Sequence, residues 1–202
     1  IDPATGQRVN PFASYGTPQK GDFLYKDING DGIIDDNDKY AVGHGLAPRF
    51  TYGFSFGAEW NGFDFACLFQ GNAGIKRYWQ DKFYRGCIDY GSVINKEIAE
   101  GAWREGRTDA KYPRLLTNLD TKNTQPSDFW VHNKSYLRLK NVQVGYKLPK
   151  KLLQRLDISQ LRIYTSLENM LTFTSYKGID PEINGTTYPT MKQMTVGVNV
   201  VF

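Results

Sequence analysis

The sequence predicts an all-β chain of antiparallel transmembrane β-barrel strands, joined at one end by long extracellular loops. Three observations predict it. The first is strict alternation. From Arg49 to Trp60, Phe50, Tyr52, Phe54, Phe56, Ala58 and Trp60 share one face, and Thr51, Gly53, Ser55, Gly57 and Glu59 share the other, which is the period of a strand. The second is what the two faces carry. A soluble sandwich turns Lys, Glu and Arg to water, whereas the polar faces of the first and last strands here hold Thr, Gly, Ser and Asn. The apolar faces hold large aromatics, with Trp or Phe at strand ends as an interfacial girdle would have them. The third is that short and long connections alternate along the chain, as in outer-membrane barrels.

The elements follow in order. Residues 1–48 read as extracellular loop, Gly-, Pro- and polar-rich over 1–26, with an acidic loop at 27–38 and a link through Gly43 and Gly45. Residues 49–202 read as barrel strands. After the first strand, Asn61-Gly62 is the strongest two-residue hairpin signal. It makes Trp60 and Phe63 same-face partners, and Phe63, Phe65, Cys67 and Phe69 continue that face. Residues 71–133 are irregular and polar, with one short helix near Val93 to Arg104; a connection this long points to a functional loop. Alternation returns from Ser135 to Pro149. Leu137 and Leu139 fall out of phase with Val142, Val144, Tyr146 and Leu148, so either a bulge lies near Lys140-Asn141 or the upper part of the strand leaves the membrane. A basic turn spans 150–159. Leu161, Ile163, Thr165 and Leu167 mark a strand reaching about Phe173, and a loop with Gly178, Pro181, Gly185 and Pro189 follows. The terminal strand, 192–202, puts Met194, Val196, Val198, Val200 and Phe202 on one face.

Composition bounds the rest. Aromatics make up 14% of the 202 residues and there are 20 Gly, which favours β structure with tight turns. The net charge of +4 is scattered, without the basic stripe that tracks phosphates, so nucleic acid is not an expected partner. No run approaches the roughly 20 apolar residues of a membrane helix. The mean hydropathy is negative, but barrels share that property because lipid- and lumen-facing residues alternate. Cys67 and Cys87 are the only cysteines; a pairing is open, two separate thiols being the plainer reading, and no Cys/His cluster suggests zinc. The chain opens on Ile1 with no leader, which reads as a processed chain or a fragment.

The strongest chemical motif is the acidic loop. Oxygen side chains stand at its first, third, fifth, ninth and twelfth positions: Asp27, Asn29, Asp31, Asp35 and Asp38. Gly32 stands sixth, where the chain must turn, and Ile33 seventh, where a backbone carbonyl is the ligand. This is the EF-hand ligand order with Asp closing in place of Glu. No amphipathic helix follows, so a calcium ion here would brace an extracellular loop instead of switching it. Asp36 and Asn37 lie between ligand positions and read as solvated.

Several strings resemble one family: GDFLYKDINGDGIIDDNDK, PRFTYGFSFGAEWNGFDFACLFQG, SYLRLKNVQVGYKLP, LRIYTSLENMLTFTSYKGIDPE and the terminal MTVGVNVVF. In order and from about residue 20 to the end, they are similar to the C-terminal part of the SusC/RagA family of TonB-dependent outer-membrane transporters of Bacteroides-type bacteria. The stretches around Tyr136 to Leu148 and Gly178 to Glu182 carry most of the specificity, and 72–130 matches less well. The resemblance implies a large plugged barrel of roughly 22 strands, a SusD-like surface lipoprotein as lid, TonB as energy source, and glycans or peptides as cargo. About five strands cannot close such a barrel, so the chain reads as the last part of a longer polypeptide. A final Phe after alternating apolar residues also resembles the signal read by barrel-assembly machinery.

Other candidates are weaker. His44 and His132 stand apart from any catalytic arrangement, and Asp180-Pro181-Glu182 reads as a folded loop, not an acid–base pair. Trp79, Tyr84, Trp103 and Trp130 lie in or beside the long connection, where they pack the loop, contact a lid or stack on sugars. The leading expectation is therefore an importer segment that is not an enzyme. A secreted calcium-stabilised β domain for adhesion or glycan binding is the alternative, and a barrel hydrolase is disfavoured for want of a nucleophile.

Overall fold

The computed structural model describes residues 11–202 except 13, 44, 46, 80–93, 117–121, 154–156 and 185–186. Among the described residues are strands β1 (Phe50–Trp60), β2 (Phe63–Ala73), β3 (Lys76–Tyr78), β4 (Val131–Asn133), β5 (Tyr136–Lys147), β6 (Gln160–Thr174) and β7 (Gln193–Val201), with short α-helices α1 (Lys96–Gly101) before β4 and α2 (Lys150–Leu153) before β6. Among the described residues, no helix is long and apolar enough to cross a membrane. The chain divides into two compact units, one of residues 1–43 and 78–132, the other of 44–77 and 133–202.

The second unit is an open antiparallel sheet in the order β1-β2-β5-β6-β7. Asn61 and Gly62 both adopt positive φ, 47° and 88°, the two-residue turn whose twist suits a hairpin. The register then pairs Trp60 with Phe63, Phe56 with Cys67 and Phe54 with Phe69. It passes on to Phe63 with Tyr146 and Cys67 with Val142, to Val142 with Leu167, and to Leu167 with Met194 and Ile163 with Val198. One face is therefore apolar across all five strands. Its side chains are open to the surroundings: Phe56 is 59% exposed and Val196 67%. A contiguous apolar face of this extent requires an apolar surrounding, and strands of 9 to 15 residues meet the roughly 9–11 that cross a bilayer.

The bulge near Lys140-Asn141 is present. The register slips between Leu139 and Asn141 against both β2 and β6. The skipped residue brings Leu137 and Leu139 back onto the apolar face, opposite Phe173 and Leu171. The upper part of β5 therefore stays in the sheet. β6 has a compensating irregularity, which the periodicity did not foretell, at Asn169 with φ of 55°.

The opposite face is polar and interlocked. Arg162 donates to both carboxylate oxygens of Asp64, through Nε at 2.8 Å and through Nη2. This ion pair reaches from β6 to β2 over β5, where a Cβ on Gly145 would lie 2.5 Å from the guanidinium and 2.6 Å from the carboxylate. Glycine at that position opens the channel the pair occupies. Polar groups satisfied across strands in this way suit a lumen wall.

The first unit has an aromatic core. The Phe23 ring lies 4.7 Å from Phe129 and 5.9 Å from Trp130, and Phe129 lies 5.9 Å from Tyr112. The helix foreseen near Val93 to Arg104 is the shorter α1, capped by Asn95, whose side chain accepts the Glu97 N–H. A buried polar tie joins distant segments. Arg114 donates twice to Asp22, at 2.6 and 3.1 Å, and Asn123 donates at 2.9 Å. Burial would raise the Asp22 carboxyl, but these donors and the Gln19 N–H outweigh it and hold the group below its ordinary value. The tie is thus complete above the ordinary carboxylate range and is lost as pH falls through that lowered value.

Candidate functional site

In the loop from Asp27 to Asp38, Gly32 takes φ of 82° with open space where a Cβ would stand, so the sharp turn and not crowding calls for glycine. Asp27 accepts the N–H groups of Gly30 and Gly32 at 2.6 and 2.8 Å. Asn29 accepts from the Asp31 N–H and Asp31 from the Ile33 N–H. Asp35 and Asp38 form a reciprocal cap on the single turn Asp36–Asp38: the Asp35 side chain accepts the Asn37 N–H at 2.7 Å, and Asp38 accepts the Asp35 N–H at 2.9 Å. Asp38 folds inward, 8% exposed, and also takes the N–H groups of Ile28 and Asn29. The Ile28 and Asp35 N–H groups hold its carboxyl below the ordinary carboxylate value against the effect of burial. Buried Ile34 ties the loop to Pro11 through a 2.6 Å backbone hydrogen bond.

The six candidate ligand residues Asp27, Asn29, Asp31, Ile33, Asp35 and Asp38 thus share one compact turn. Among the described residues, no three Asp, Glu, His or Cys side chains come together as a metal ion would hold them. The all-oxygen donor set nonetheless has the chemistry a hard cation takes. Asp36, between ligand positions, is exposed as foreseen, yet paired: Lys39 and Tyr15 both donate to it. Burial first, then the Asp36 hydrogen bond, push the Tyr15 hydroxyl up to about 12.

Beside this loop the first unit has a cleft of about 510 Å³, lined by Tyr15, Leu24, Tyr25, Tyr40, Tyr78 and the loop's own Asp35 and Asp38, among others. Sequence reasoning missed it, because its walls come from residues 15–42 and 78–131. Trp79 and Trp130 are each 1% exposed, and the Trp79 ring lies 3.7 Å from that of His132. These two tryptophans pack the loop. The Trp103 ring covers Gly21, 2.3 Å from where a Cβ would be. Tyr84, His44 and Cys87 lie outside the described residues; Cys67 sits on the apolar face of β2.

The second unit holds a polar cluster assembled from residues far apart in the chain. On the polar face of β5 and β6, Arg138 donates to Thr172 Oγ1 at 2.8 Å, Glu182 Oε2 at 2.9 Å and Asp180 Oδ1 at 2.8 Å. Lys140 pairs with Glu182 at 2.7 Å. Lys134, 1% exposed, donates to the Ile183 carbonyl at 2.6 Å and to Asn184 Oδ1 at 2.8 Å. Asp180 accepts the N–H groups of Glu182 and Thr190. Asp180-Pro181-Glu182 is therefore a folded loop, as its sequence suggested. The signal that could have flagged the cluster is two cations two residues apart, Arg138 and Lys140, within one strand.

A sheet with one lipid-like face, one interlocked polar face and long connections at one end defines a segment of a β-barrel membrane protein. The comparisons sharpen that class. The chain is homologous to a segment of the TonB-dependent receptors of the SusC/RagA family, along about nine-tenths of its length. It is 30% identical to TonB-dependent receptor P3 of Formosa agariphila over 207 residues, covering 93% of this chain and 20% of that protein. It is 26% identical to TonB-dependent receptor SusC of Bacteroides thetaiotaomicron, covering 89% of this chain and 17% of that one. Among solved structures it superposes on the RagAB peptide transporter with a TM-score of 0.64 and 29% identity, covering 84% of this chain and 19% of that one. It also superposes on the 'open-open' state of the RagAB peptide importer with a TM-score of 0.57 and 30% identity, covering 78% and 17%. The chain thus spans about a fifth of the length of the receptors it matches. No family model matches it.

Proposed function

We propose that this chain is a wall segment of a TonB-dependent outer-membrane importer of oligomeric nutrients, glycans or peptides, working with a SusD-like lid lipoprotein. The observation that carries the reading is the division of all five strands into one exposed apolar face and one interlocked polar face. A secreted β domain would have to keep that apolar face in water. The rest of the barrel and the plug, with its TonB contact, would come from the remainder of a receptor of the relatives' size. No residue of this chain is assigned a catalytic role. The long connections lie outside the cell in this reading, and the 510 Å³ cleft is the candidate contact for lid or cargo. Purifying the complete receptor from outer membranes of a Bacteroides-type host tests the assembly: a stoichiometric lipoprotein is expected, and a receptor that purifies alone would remove the lid. Uptake of labelled peptide digest against labelled oligosaccharide then separates the two cargo classes.

In the same reading a structural calcium ion braces the acidic loop, held by Asp27, Asn29, Asp31, the Ile33 carbonyl, Asp35 and Asp38. The cation would offset the charge that the four ligand aspartates place in one turn. Extracellular modules of this kind bind at about 10⁻⁴–10⁻³ M. Calcium titration followed by calorimetry is expected to show one site in that range in the wild type and at least tenfold weaker binding in Asp31→Ala. Equal affinity in both would remove the loop from the site.

A further inference from the structure

The connection between β6 and β7 bends back over the polar face of the sheet. From Tyr176 to Asn184 it is tied to β5 and the residues just before it by Lys134, Arg138 and Lys140. Tyr176 is 8% exposed, and its ring folds over Gly178, where a Cβ would lie 2.2 Å away. Lys140 stands four residues inside the end of β5, about 13 Å along the strand at the usual rise, and its ammonium meets the Glu182 carboxylate of this segment at 2.7 Å. The Lys134 ammonium is a costly group to bury without a carboxylate partner: burial, and then nearby Arg77, pull its pKa down, with Asp180 opposing. Such a network stands only where the geometry is held fixed.

The geometry points to Tyr176–Asn184 as a fixed strap inside the barrel mouth, a static wall of the import path that limits the size of what passes. This rests on the importer reading for which face is the lumen. A mobile surface loop would leave its charges in water, whereas here the Arg138 and Asp180 side chains are each 4% exposed.

Thiol labelling of the complete receptor in intact outer membranes tests it. Ile179, 42% exposed on the strap, is replaced by cysteine in a background with the native cysteines removed, and Lys177→Cys serves as a second position. A small charged methanethiosulfonate is expected to react at least tenfold faster than a 5-kDa polyethylene-glycol maleimide, after each rate is normalised to a cysteine in an unstructured surface tag. Adding Glu182→Gln, which removes one charge and little volume, should bring the normalised ratio towards one. Equal normalised rates without Glu182→Gln, on a receptor that keeps heat-modifiable mobility in gels, would overturn the strap alone. A tenfold difference that Glu182→Gln leaves unchanged would overturn the charge network as its anchor. Loss of heat-modifiable mobility in the unsubstituted receptor would instead fault the barrel reading.

Discussion

Arg138→Ala is expected to lower the stability of the complete receptor by about 3–5 kcal/mol, the cost of stripping one partner from a buried ion pair. Arg138 is 4% exposed and spends its guanidinium on Thr172, Asp180 and Glu182 at once. Removing it leaves Asp180 buried with only the Glu182 and Thr190 N–H groups as donors. Arg138→Lys should recover only part of the loss, because a single ammonium cannot reproduce the fork that reaches both carboxylates. The pH dependence follows from Asp180. Burial would raise its carboxyl, but the Glu182 N–H, Arg138 and the Thr190 N–H outweigh burial and lower it. A depressed folded value makes the contribution complete above the ordinary carboxylate range and removes it as pH falls through the lowered value. Without Arg138 burial acts on that carboxyl with less to oppose it, so the penalty should be full at neutral pH and shrink as acid protonates Asp180. Urea unfolding in lipid, read by heat-modifiable mobility, measures it; a loss under about 1 kcal/mol would place the pair in the class of exposed ion pairs.

The second large effect is an asymmetry between neighbours. Val196 and Thr195 are adjacent in β7 but belong to opposite faces, pairing with Thr165 and Ser166 respectively. Val196→Arg is expected to cost about 2–4 kcal/mol, because it puts a guanidinium against hydrocarbon at mid-strand. Thr195→Arg faces the lumen and should cost less than about 1 kcal/mol. Unfolding of each variant in bilayers of one thickness gives the comparison. Equal costs would mean that neither face meets lipid.

The strands were legible because a wall between lipid and lumen forces period-two alternation on every residue. β1 needed only its aromatic face, and Asn61-Gly62 set its hairpin register. The bulge at Lys140-Asn141 was visible as a phase slip between Leu139 and Val142. The answering irregularity at Asn169 was not, because a left-handed Asn leaves no mark on periodicity. The strap was illegible for another reason. Arg138 and Asp180 are 42 residues apart in sequence, and no local pattern links a cation on one strand to a carboxylate in a later loop. The tie between Asp22 and Arg114 has the same character, at a separation of 92. The acidic loop shows the converse. Its spacing is plain in the sequence, while its carboxylates are engaged with the loop's own N–H groups, so spacing alone does not establish an ion.

The barrel assignment stands on the apolar face, and β1 tests that face most directly. Nitroxide labels placed singly from Thr51 to Glu59 in the complete receptor, reconstituted in liposomes, report collision with oxygen, which concentrates in lipid, against a nickel chelate confined to water. Oxygen access should peak at Tyr52, Phe54, Phe56 and Ala58, and nickel access at Thr51, Gly53, Ser55, Gly57 and Glu59, with a period of two residues. Uniform nickel access along the strand would contradict a wall facing lipid and return the chain to a soluble β domain.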